Sequence, residues 1–271
     1  MRSFRSAIAA GCDLIECDVH LSSDGRLVVM HDHTLERTTN VAEVFPDRVS
    51  TGYQTRQPGK HWLGNDFTMA EIKRLDAGKW FKPEFTGQHI QTFQDAIDLV
   101  RGKAGLYPEL KSPELYKSRG VDQVKLFVDI MRKNGLEKPE SLKTTPVIIQ
   151  SFDESAIRRV SVDLPTVPRV FLTGKDEDVT EARLKEMFGA SAASIRAERR
   201  DFNFRYRSPE HFLDIFKSYY GPMLKAFAAL DTANQQGLQN DLLALIGKTN
   251  RANDGTVVVP SEYLEVVITK R

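Results

Sequence analysis

The hydrophobic and polar positions between residues 105 and 188 change their period in a regular order. Short apolar runs typical of buried strands alternate there with stretches of helical spacing. The strand and helix pairs are 105–110 with 120–133, 146–150 with 154–160, and 167–172 with 180–188. Strands that alternate with helices at this interval predict parallel β/α units.

The start of the chain has the pattern of one helix followed by two strands. Residues 1–10 have helical spacing, and Gly11 stands where a helix C-cap is common. Strands are predicted at 13–20 and 26–30, joined by a turn that contains Asp-Gly. Because no N-cap precedes the helix, we expect that a segment upstream of Met1 is missing, through an internal start or another truncation.

Two regions depart from the regular alternation. Residues 34–66 are polar and irregular, and a loop of this length often covers a site or carries function. Thr68 and Glu71 have the spacing of a capping box, and Thr92 is placed to cap a further helix. Toward the end of the chain we predict helices at 209–229 and 236–246 and short strands at 257–259 and 266–268.

Composition and charge exclude several classes of function. The chain has 271 residues, of which 41% are hydrophobic and 28% are charged, which is ordinary for a globular protein with a sizeable core. Its 38 Lys and Arg almost balance 37 Asp and Glu, so the net charge indicates neither nucleic-acid nor membrane-surface binding. We interpret the basic run at 196–200 as a solvated helix face or loop.

The cysteines and the hydropathy bear on the compartment. Cys12 and Cys17 lack the spacing of a disulfide framework or a zinc site, and we interpret them as small buried thiols. No apolar run could span a bilayer, and the N-terminus has no signal-peptide core. The sequence as written predicts a soluble, cytoplasmic protein, or a periplasmic or secreted one if a signal peptide preceded Met1.

Two acidic residues interrupt the first predicted strand. Glu16 and Asp18 are two positions apart in a run otherwise suited to burial, so they point to the same face. Two inward carboxylates repel each other and lose hydration, which costs several kcal/mol each unless it is compensated. A divalent cation is the usual compensation, and the pair therefore predicts a metal site.

Further polar residues follow other predicted strands. Like Glu16 and Asp18, His31 and Glu109 stand at the C-terminal ends of predicted strands, and Lys111 lies two residues beyond Glu109 on the same face. In β/α barrels the C-terminal strand ends carry the chemistry, so we expect these residues to converge with Glu16 and Asp18. Three carboxylates without a thiolate favour Mg²⁺ or Ca²⁺, and a cation, an ammonium and an imidazole together suit phosphate-ester cleavage. Taken singly, each signal has another explanation. Glu16 and Asp18 also fit an exposed strand edge, His31 fits a turn, and Glu109 with Lys111 fits a surface pair.

Five motifs in this order resemble those of the glycerophosphodiester phosphodiesterase family. They are AIAAGCDLIECDV at 7–19, SDGRLVVMHDHTLERTT at 23–39, the stretch 68–100 from TMAEIKRLDAG to IQTFQDAIDLV, YPELK at 107–111, and VIIQSF at 147–152. The resemblance implies an α/β fold, a TIM (βα)8-type barrel that is incomplete because its first strand is missing and its closing strands are uncertain. The expected organisation is a single barrel domain over 1–271, with an insertion at about 34–90 and a divergent tail at about 175–271.

The resemblance also implies roles for individual residues. Glu16, Asp18 and Glu109 correspond to the ligands of one divalent cation, Ca²⁺ or Mg²⁺. His31 corresponds to the second catalytic histidine, the acid that protonates the leaving alkoxide. Lys111 corresponds to a phosphate contact. The implied reaction is hydrolysis of a small-molecule glycerophosphodiester to an alcohol and glycerol 3-phosphate.

One further residue and two departures complete the comparison with the family. Gln150 corresponds to a residue of the family's substrate pocket. The family's His-Arg-Gly and Pro-Glu-Asn-Thr segment, which carries the first catalytic histidine, has no counterpart, and its closing-strand motifs are absent from the tail. The alternative hypothesis is therefore a non-catalytic barrel that binds a metal and phosphate ligands. A phosphodiesterase for phosphoinositide or sphingolipid head groups is a third, and the sequence specifies neither the head group nor the oligomeric state.

Overall fold

A computed structural model describes residues 1–51, 59–174 and 180–270 of the protein. The chain divides into two compact units, residues 1–173 and 174–271. The expected start of the tail near residue 175 and positions 52–58 of the predicted insertion lie outside the described residues. In the described parts of the chain, no helix is long and apolar enough to cross a membrane.

The first unit is built on one sheet of six strands. These are β1 (Leu14–Leu21), β2 (Leu27–Val29), β3 (Gln91–Thr92), β4 (Gly105–Leu110), β5 (Ile149–Ser151) and β6 (Arg169–Phe171). They lie in the order β3-β2-β1-β4-β5-β6. Strands β1, β4, β5 and β6 are parallel, whereas β2 is antiparallel to both of its neighbours. The predicted α/β class with parallel units is confirmed, and the sheet is an incomplete barrel within the described residues.

Helices connect these strands and cover the sheet. They are α1 (Arg2–Ala9), α2 (Val41–Val44), α3 (Met69–Ile72), α4 (Phe93–Val100), α5 (Pro113–Ser118), α6 (Gln123–Lys133), α7 (Pro139–Thr144) and α8 (Glu154–Asp163). Short 3₁₀ turns lie at Gly64–Asp66 and Pro83–Phe85. The helix predicted at 120–133 begins at Gln123, and α5, which precedes it, starts with Pro113 at its first turn.

Helix α1 is followed by the glycine that the sequence indicated as its C-cap. Gly11 has a φ of +81°, a left-handed conformation that glycine adopts without strain. Its N–H donates to the carbonyl of Ile8, and the N–H of Cys12 donates to the carbonyl of Ala7. These two bonds form a Schellman motif, which satisfies the last carbonyls of the helix and directs the chain into β1.

The main core includes one face of the sheet and the helices packed on it. Strand β1 contributes Ile15, Cys17 and Val19, which alternate with polar residues of the opposite face. Phe93 and Phe127 belong to the same core and stack with their ring centroids 5.3 Å apart. Burial of such side chains contributes about 1.5–3 kcal/mol each. This alternation leaves the other face of β1 for the polar side chains.

A second, smaller core lies in the region of the predicted insertion. Trp62 and Phe67 are buried there among residues drawn from 28–90. The predicted capping box is present, since the side chain of Thr68 accepts from the N–H of Glu71 and the carboxylate of Glu71 accepts from the N–H of Thr68. The region of the sequence that looked irregular therefore packs around apolar residues of its own.

The second unit combines a long two-stranded ribbon with helices. The strands are β7 (Ala192–Tyr206) and β8 (Val257–Lys270), paired antiparallel. The helices are α9 (Glu181–Phe188), α10 (Pro209–Tyr219), α11 (Gly221–Ala228) and α12 (Thr232–Thr249). Tyr206 of the ribbon stacks on Phe212 of α10 with ring centroids 4.5 Å apart. Aromatic packing of this kind holds the ribbon to its helix.

Three predictions for the second unit were wrong. The basic run at 196–200 lies in β7, where its charges pair with those of β8, as in the 3.2 Å contact of Arg200 with Glu265. The two short strands predicted near the end of the chain are one continuous strand, because the whole of β7 pairs with it. The helix predicted at 209–229 breaks at Tyr220, since Pro222 lacks an N–H and cannot continue α10.

Candidate active site

Three carboxylates meet on the polar face of the first unit's sheet. Strands β1 and β4 pair with Glu16 opposite Tyr107 and Asp18 opposite Glu109. One carboxylate oxygen from each of Glu16, Asp18 and Glu109 lies within 4.8 Å of the other two. The structure thus brings together the three residues that the sequence predicted as metal ligands.

The position of these carboxylates along β1 differs from the expectation. The sequence predicted Glu16 and Asp18 at the C-terminal end of their strand, but both lie in its middle. Strand β1 continues to Leu21 because its last residues pair with β2 in a hairpin. Glu109, by contrast, is the penultimate residue of β4. Lateral pairing of the two strands, not a shared strand end, therefore assembles the triad.

Lys111 occupies the space between two of the carboxylates. Its Nζ lies 3.0 Å from Oε1 of Glu109 and 3.3 Å from Oδ1 of Asp18. Burial alone would lower the pKa of Lys111, but the hydrogen bond to Glu109 and the charge of Asp18 raise it overall. The ammonium therefore remains charged at neutral pH and offsets part of the negative charge of the triad.

The triad retains an excess of negative charge. Burial raises the pKa of Glu16, and the charges of Asp18 and Glu109 raise it further. Burial also raises the pKa of Glu109, even though Lys111 donates to its carboxylate. A nearby cation stabilises the ionised form of such carboxylates, so this arrangement favours cation binding.

The donor set fits a hard divalent cation. It consists of carboxylate oxygens, the ligands that Mg²⁺ and Ca²⁺ prefer. Oxygens that share one cation at about 2.0–2.6 Å lie at most about 4–5 Å apart, which agrees with the separations within the triad. Glu16, Asp18 and Glu109 could hold one such ion and leave further coordination positions for water and substrate.

Gln150 lies beside this triad on the next strand. It pairs with Glu109 in the register of β4 with β5, and it is 6% exposed. Its Nε2 donates to Oε1 of Glu16 at 3.0 Å. The amide therefore contacts a predicted ligand directly and orients its carboxylate.

His31 returns toward this face through the hairpin. The N–H of Met30 donates to the carbonyl of Asp18, which places the next residue beside β1. The imidazole of His31 is 70% exposed, and its Nδ1 lies 2.7 Å from Oδ1 of Asp32. Arg37 donates two hydrogen bonds to the carboxylate of Asp32. Because Nδ1 is engaged, Nε2 is the ring atom left for a substrate.

The sequence analysis missed two histidines close to His31, namely His20, which bonds to its carbonyl oxygen, and His33. His20 follows Asp18 on the same face of β1 and is 1% exposed, and His33 packs edge-on against it at 4.9 Å between centroids. Burial lowers the pKa of His20 to about 3 and also lowers the pKa of His33, so neither ring is charged at neutral pH. The spacing of two residues from Asp18 to His20 was the signal that could have identified the first.

Comparison with known proteins agrees with this geometry. The sequence model of the Glycerophosphoryl diester phosphodiesterase family matches residues 1–218. The chain is 33% identical to a glycerophosphodiester phosphodiesterase of Bacillus subtilis over 195 residues, which cover 68% of this chain and 58% of the relative. It is 32% identical to one of Haemophilus influenzae over 180 residues, which cover 58% of this chain and 46% of the relative. The chain spans about half the length of these curated relatives.

A solved structure has a similar fold. It is that of a phosphodiesterase of Oleispira antarctica in complex with the product sn-glycerol-3-phosphate. The TM-score is 0.52 and the sequences are 26% identical, over 69% of this chain and 64% of the other.

Proposed function

This chain belongs to the glycerophosphoryl diester phosphodiesterase family, and we propose that it hydrolyses glycerophosphodiesters to an alcohol and glycerol 3-phosphate. The resemblance predicted from the five motifs is confirmed by the family match. The related phosphodiesterase of Oleispira antarctica was solved with sn-glycerol-3-phosphate, the product of the reaction proposed here. That complex supports a small-molecule phosphodiester as the substrate.

One observation carries the proposal, namely the cluster of three carboxylates with Lys111 paired to two of them. The ammonium of Lys111 lies 3.0 Å and 3.3 Å from two carboxylate oxygens. From there it could also contact the phosphate of a substrate bound to a cation that the triad holds. A divalent cation held by Glu16, Asp18 and Glu109 would neutralise the phosphoryl oxygens. Lys111 would then donate to a non-bridging oxygen and stabilise the charge that develops there.

His31 supplies the proton that the leaving group needs. In the hydrolysis, water adds to phosphorus and loses one proton to the solvent, and the bond from phosphorus to the alcohol oxygen breaks. The proton on Nε2 of His31 passes to the departing alkoxide oxygen, while Asp32 holds Nδ1 and stabilises the imidazolium. The solvent returns a proton to His31 after the alcohol has left. We assign Gln150 to orienting Glu16, which its hydrogen bond to that carboxylate supports.

The class of cation follows from the same residues. We propose one divalent ion, Ca²⁺ or Mg²⁺, because the triad offers oxygen ligands alone. The proposed partner is the glycerophosphodiester itself. Cytoplasmic placement remains the proposal for the chain as written, with a periplasmic or secreted location if a signal peptide precedes it.

The test is release of glycerol 3-phosphate from glycerophosphocholine by the 271-residue chain. Assays contain Ca²⁺, Mg²⁺ or EDTA and compare wild type with His31→Ala. We expect cation-dependent turnover that falls about 10²–10⁴-fold in His31→Ala, because the general acid is lost. His211→Ala, which changes a histidine of the second unit, is the matched control and should retain wild-type turnover.

The same assay separates the enzyme from its alternative. Cation binding that is lost in Glu109→Ala, without turnover by wild type under any cation, would support the non-catalytic metal- and phosphate-binding barrel. Turnover that survives in EDTA would contradict the assignment of the triad to a metal. Turnover that His31→Ala leaves unchanged would remove His31 from the proton-transfer step.

A further inference from the structure

His20 and Tyr116 form a buried hydrogen-bonded pair behind the candidate active site. His20 is 1% exposed and Tyr116 is 2% exposed. Nδ1 of His20 lies 2.6 Å from the hydroxyl of Tyr116, and Nε2 lies 3.1 Å from the carbonyl oxygen of His31. A buried imidazole engaged at both nitrogens is held in one orientation.

The partner of each nitrogen determines the tautomer of His20. A carbonyl oxygen accepts hydrogen bonds and cannot donate, so Nε2 of His20 carries the hydrogen and donates to His31. Nδ1 of the neutral ring is then unprotonated and accepts from the hydroxyl of Tyr116. The carbonyl of His31 thus determines the tautomer of His20, and the hydroxyl of Tyr116 donates to the nitrogen that remains unprotonated.

This pair connects helix α5 to the loop after β2. Tyr116 lies in α5, which begins directly after Lys111 and Ser112 at the end of β4, whereas His31 lies in the loop after β2. A second bond joins the start of α5 to the same loop, because Oγ of Ser112 lies 3.2 Å from Nε2 of His33. Ser112 has a φ of +43°, an uncommon left-handed conformation that persists only where the surroundings hold it.

We propose that His20 and Tyr116 are positioning residues that hold His31 for proton transfer to the leaving alkoxide. The inference rests on the proposed function. The hydrogen bonds fix the backbone of His31 relative to α5, and hence relative to a phosphate bound beside Lys111. A displacement of about 1 Å in such a group can cost about 10²-fold in rate.

The test compares two substrates that differ in their need for an acid. Glycerophosphocholine releases an alkoxide that must be protonated, whereas the p-nitrophenyl ester of glycerol 3-phosphate releases a stabilised phenolate. Tyr116→Phe removes the donor to Nδ1, so His20 keeps only its bond to the carbonyl of His31 and its ring can reorient. It should lower kcat on glycerophosphocholine about 10- to 100-fold, and kcat on the p-nitrophenyl ester less than about 3-fold.

Four further variants separate positioning from folding. Ser151→Ala removes another buried hydroxyl, which donates to the carbonyl of Leu110 at 2.7 Å. It should change kcat on both substrates by the same factor. His20→Gln keeps a donor and an acceptor on one side chain and should retain more activity than His20→Leu. Adding Tyr116→Phe to His31→Ala should cause no further loss on glycerophosphocholine.

Each outcome decides the inference. Equal losses on both substrates in Tyr116→Phe would assign Tyr116 to stability alone and overturn the inference, while the proposed function stands. Full activity of Tyr116→Phe on glycerophosphocholine would overturn it as well. A wild-type chain that hydrolyses neither substrate would overturn the proposed function, and the positioning role would fall with it.

Discussion

Glu109→Gln should abolish the stabilisation that a divalent cation gives to the first unit. The substitution keeps the size of the side chain and an oxygen for Lys111, but it removes one of the three charges that lie within 4.8 Å. At a cation concentration about 100 times the dissociation constant, wild type gains about 2.7 kcal/mol of unfolding free energy. For a unit of 173 residues, this corresponds to a rise in Tm of about 5–11 °C.

The assay is thermal unfolding of both proteins in EDTA, Ca²⁺ and Mg²⁺. In EDTA the two should melt at similar temperatures, because burial already disfavours the charged form of Glu109, as its raised pKa indicates. With cation, wild type should shift upward and Glu109→Gln should stay near its value in EDTA. Glu140→Gln, on an exposed position of α7, is the matched control and should shift like wild type.

An equal shift in wild type and Glu109→Gln would refute this reasoning. The cation would then bind elsewhere, and the gathering of the triad would reflect the pairing with Lys111 alone. If Tm rises in neither protein, at cation concentrations up to the millimolar range of weak sites, the triad would also be excluded as a cation site.

Three further substitutions test the packing that supports the site. Phe127→Ala removes a fully buried ring stacked on Phe93 and should cost about 3–5 kcal/mol in chemical denaturation. Thr92→Ala removes the cap of α4 and should cost about 0.5–2 kcal/mol in the same measurement. Glu36→Gln should cost about 1–3 kcal/mol. Burial would raise the pKa of Glu36, but the hydrogen bond from His61 and others hold it below its usual value, so its contribution should be present at neutral pH and lost as the pH falls through the pKa of the folded state. Unfolding curves of Glu36→Gln that lose as much stability in acid as wild type would contradict that assignment.

The sequence predicted the elements of the first unit better than those of the second. Strands that alternate with helices have strong local signals, and β4 was predicted with its observed bounds. In the second unit, the charged run at 196–200 has no apolar alternation that indicates a strand, and it becomes one through pairing with β8. Its conformation depends on a partner about 65 residues away along the chain, which local patterns do not reveal.

The candidate site shows the same division. That Glu16 and Asp18 share a face follows from the two-residue period of a strand, and the sequence alone determined it. The hydrogen bond of His20 to Tyr116 joins residues 96 positions apart, and nothing in either motif indicates it. It forms because α5 packs where the loop after β2 returns toward β1.

The sequence by itself determined which residues are candidates for the chemistry and which face of each strand they occupy. These are local properties, because backbone geometry repeats every two residues in a strand and every 3.6 in a helix. Only the tertiary structure decided that Asp18 lies opposite Glu109 and that Lys111 lies between them. It also decided that the ring of His20 bonds to the carbonyl oxygen of His31. Those contacts depend on which apolar faces pack together, and this packing involves the whole core of the first unit.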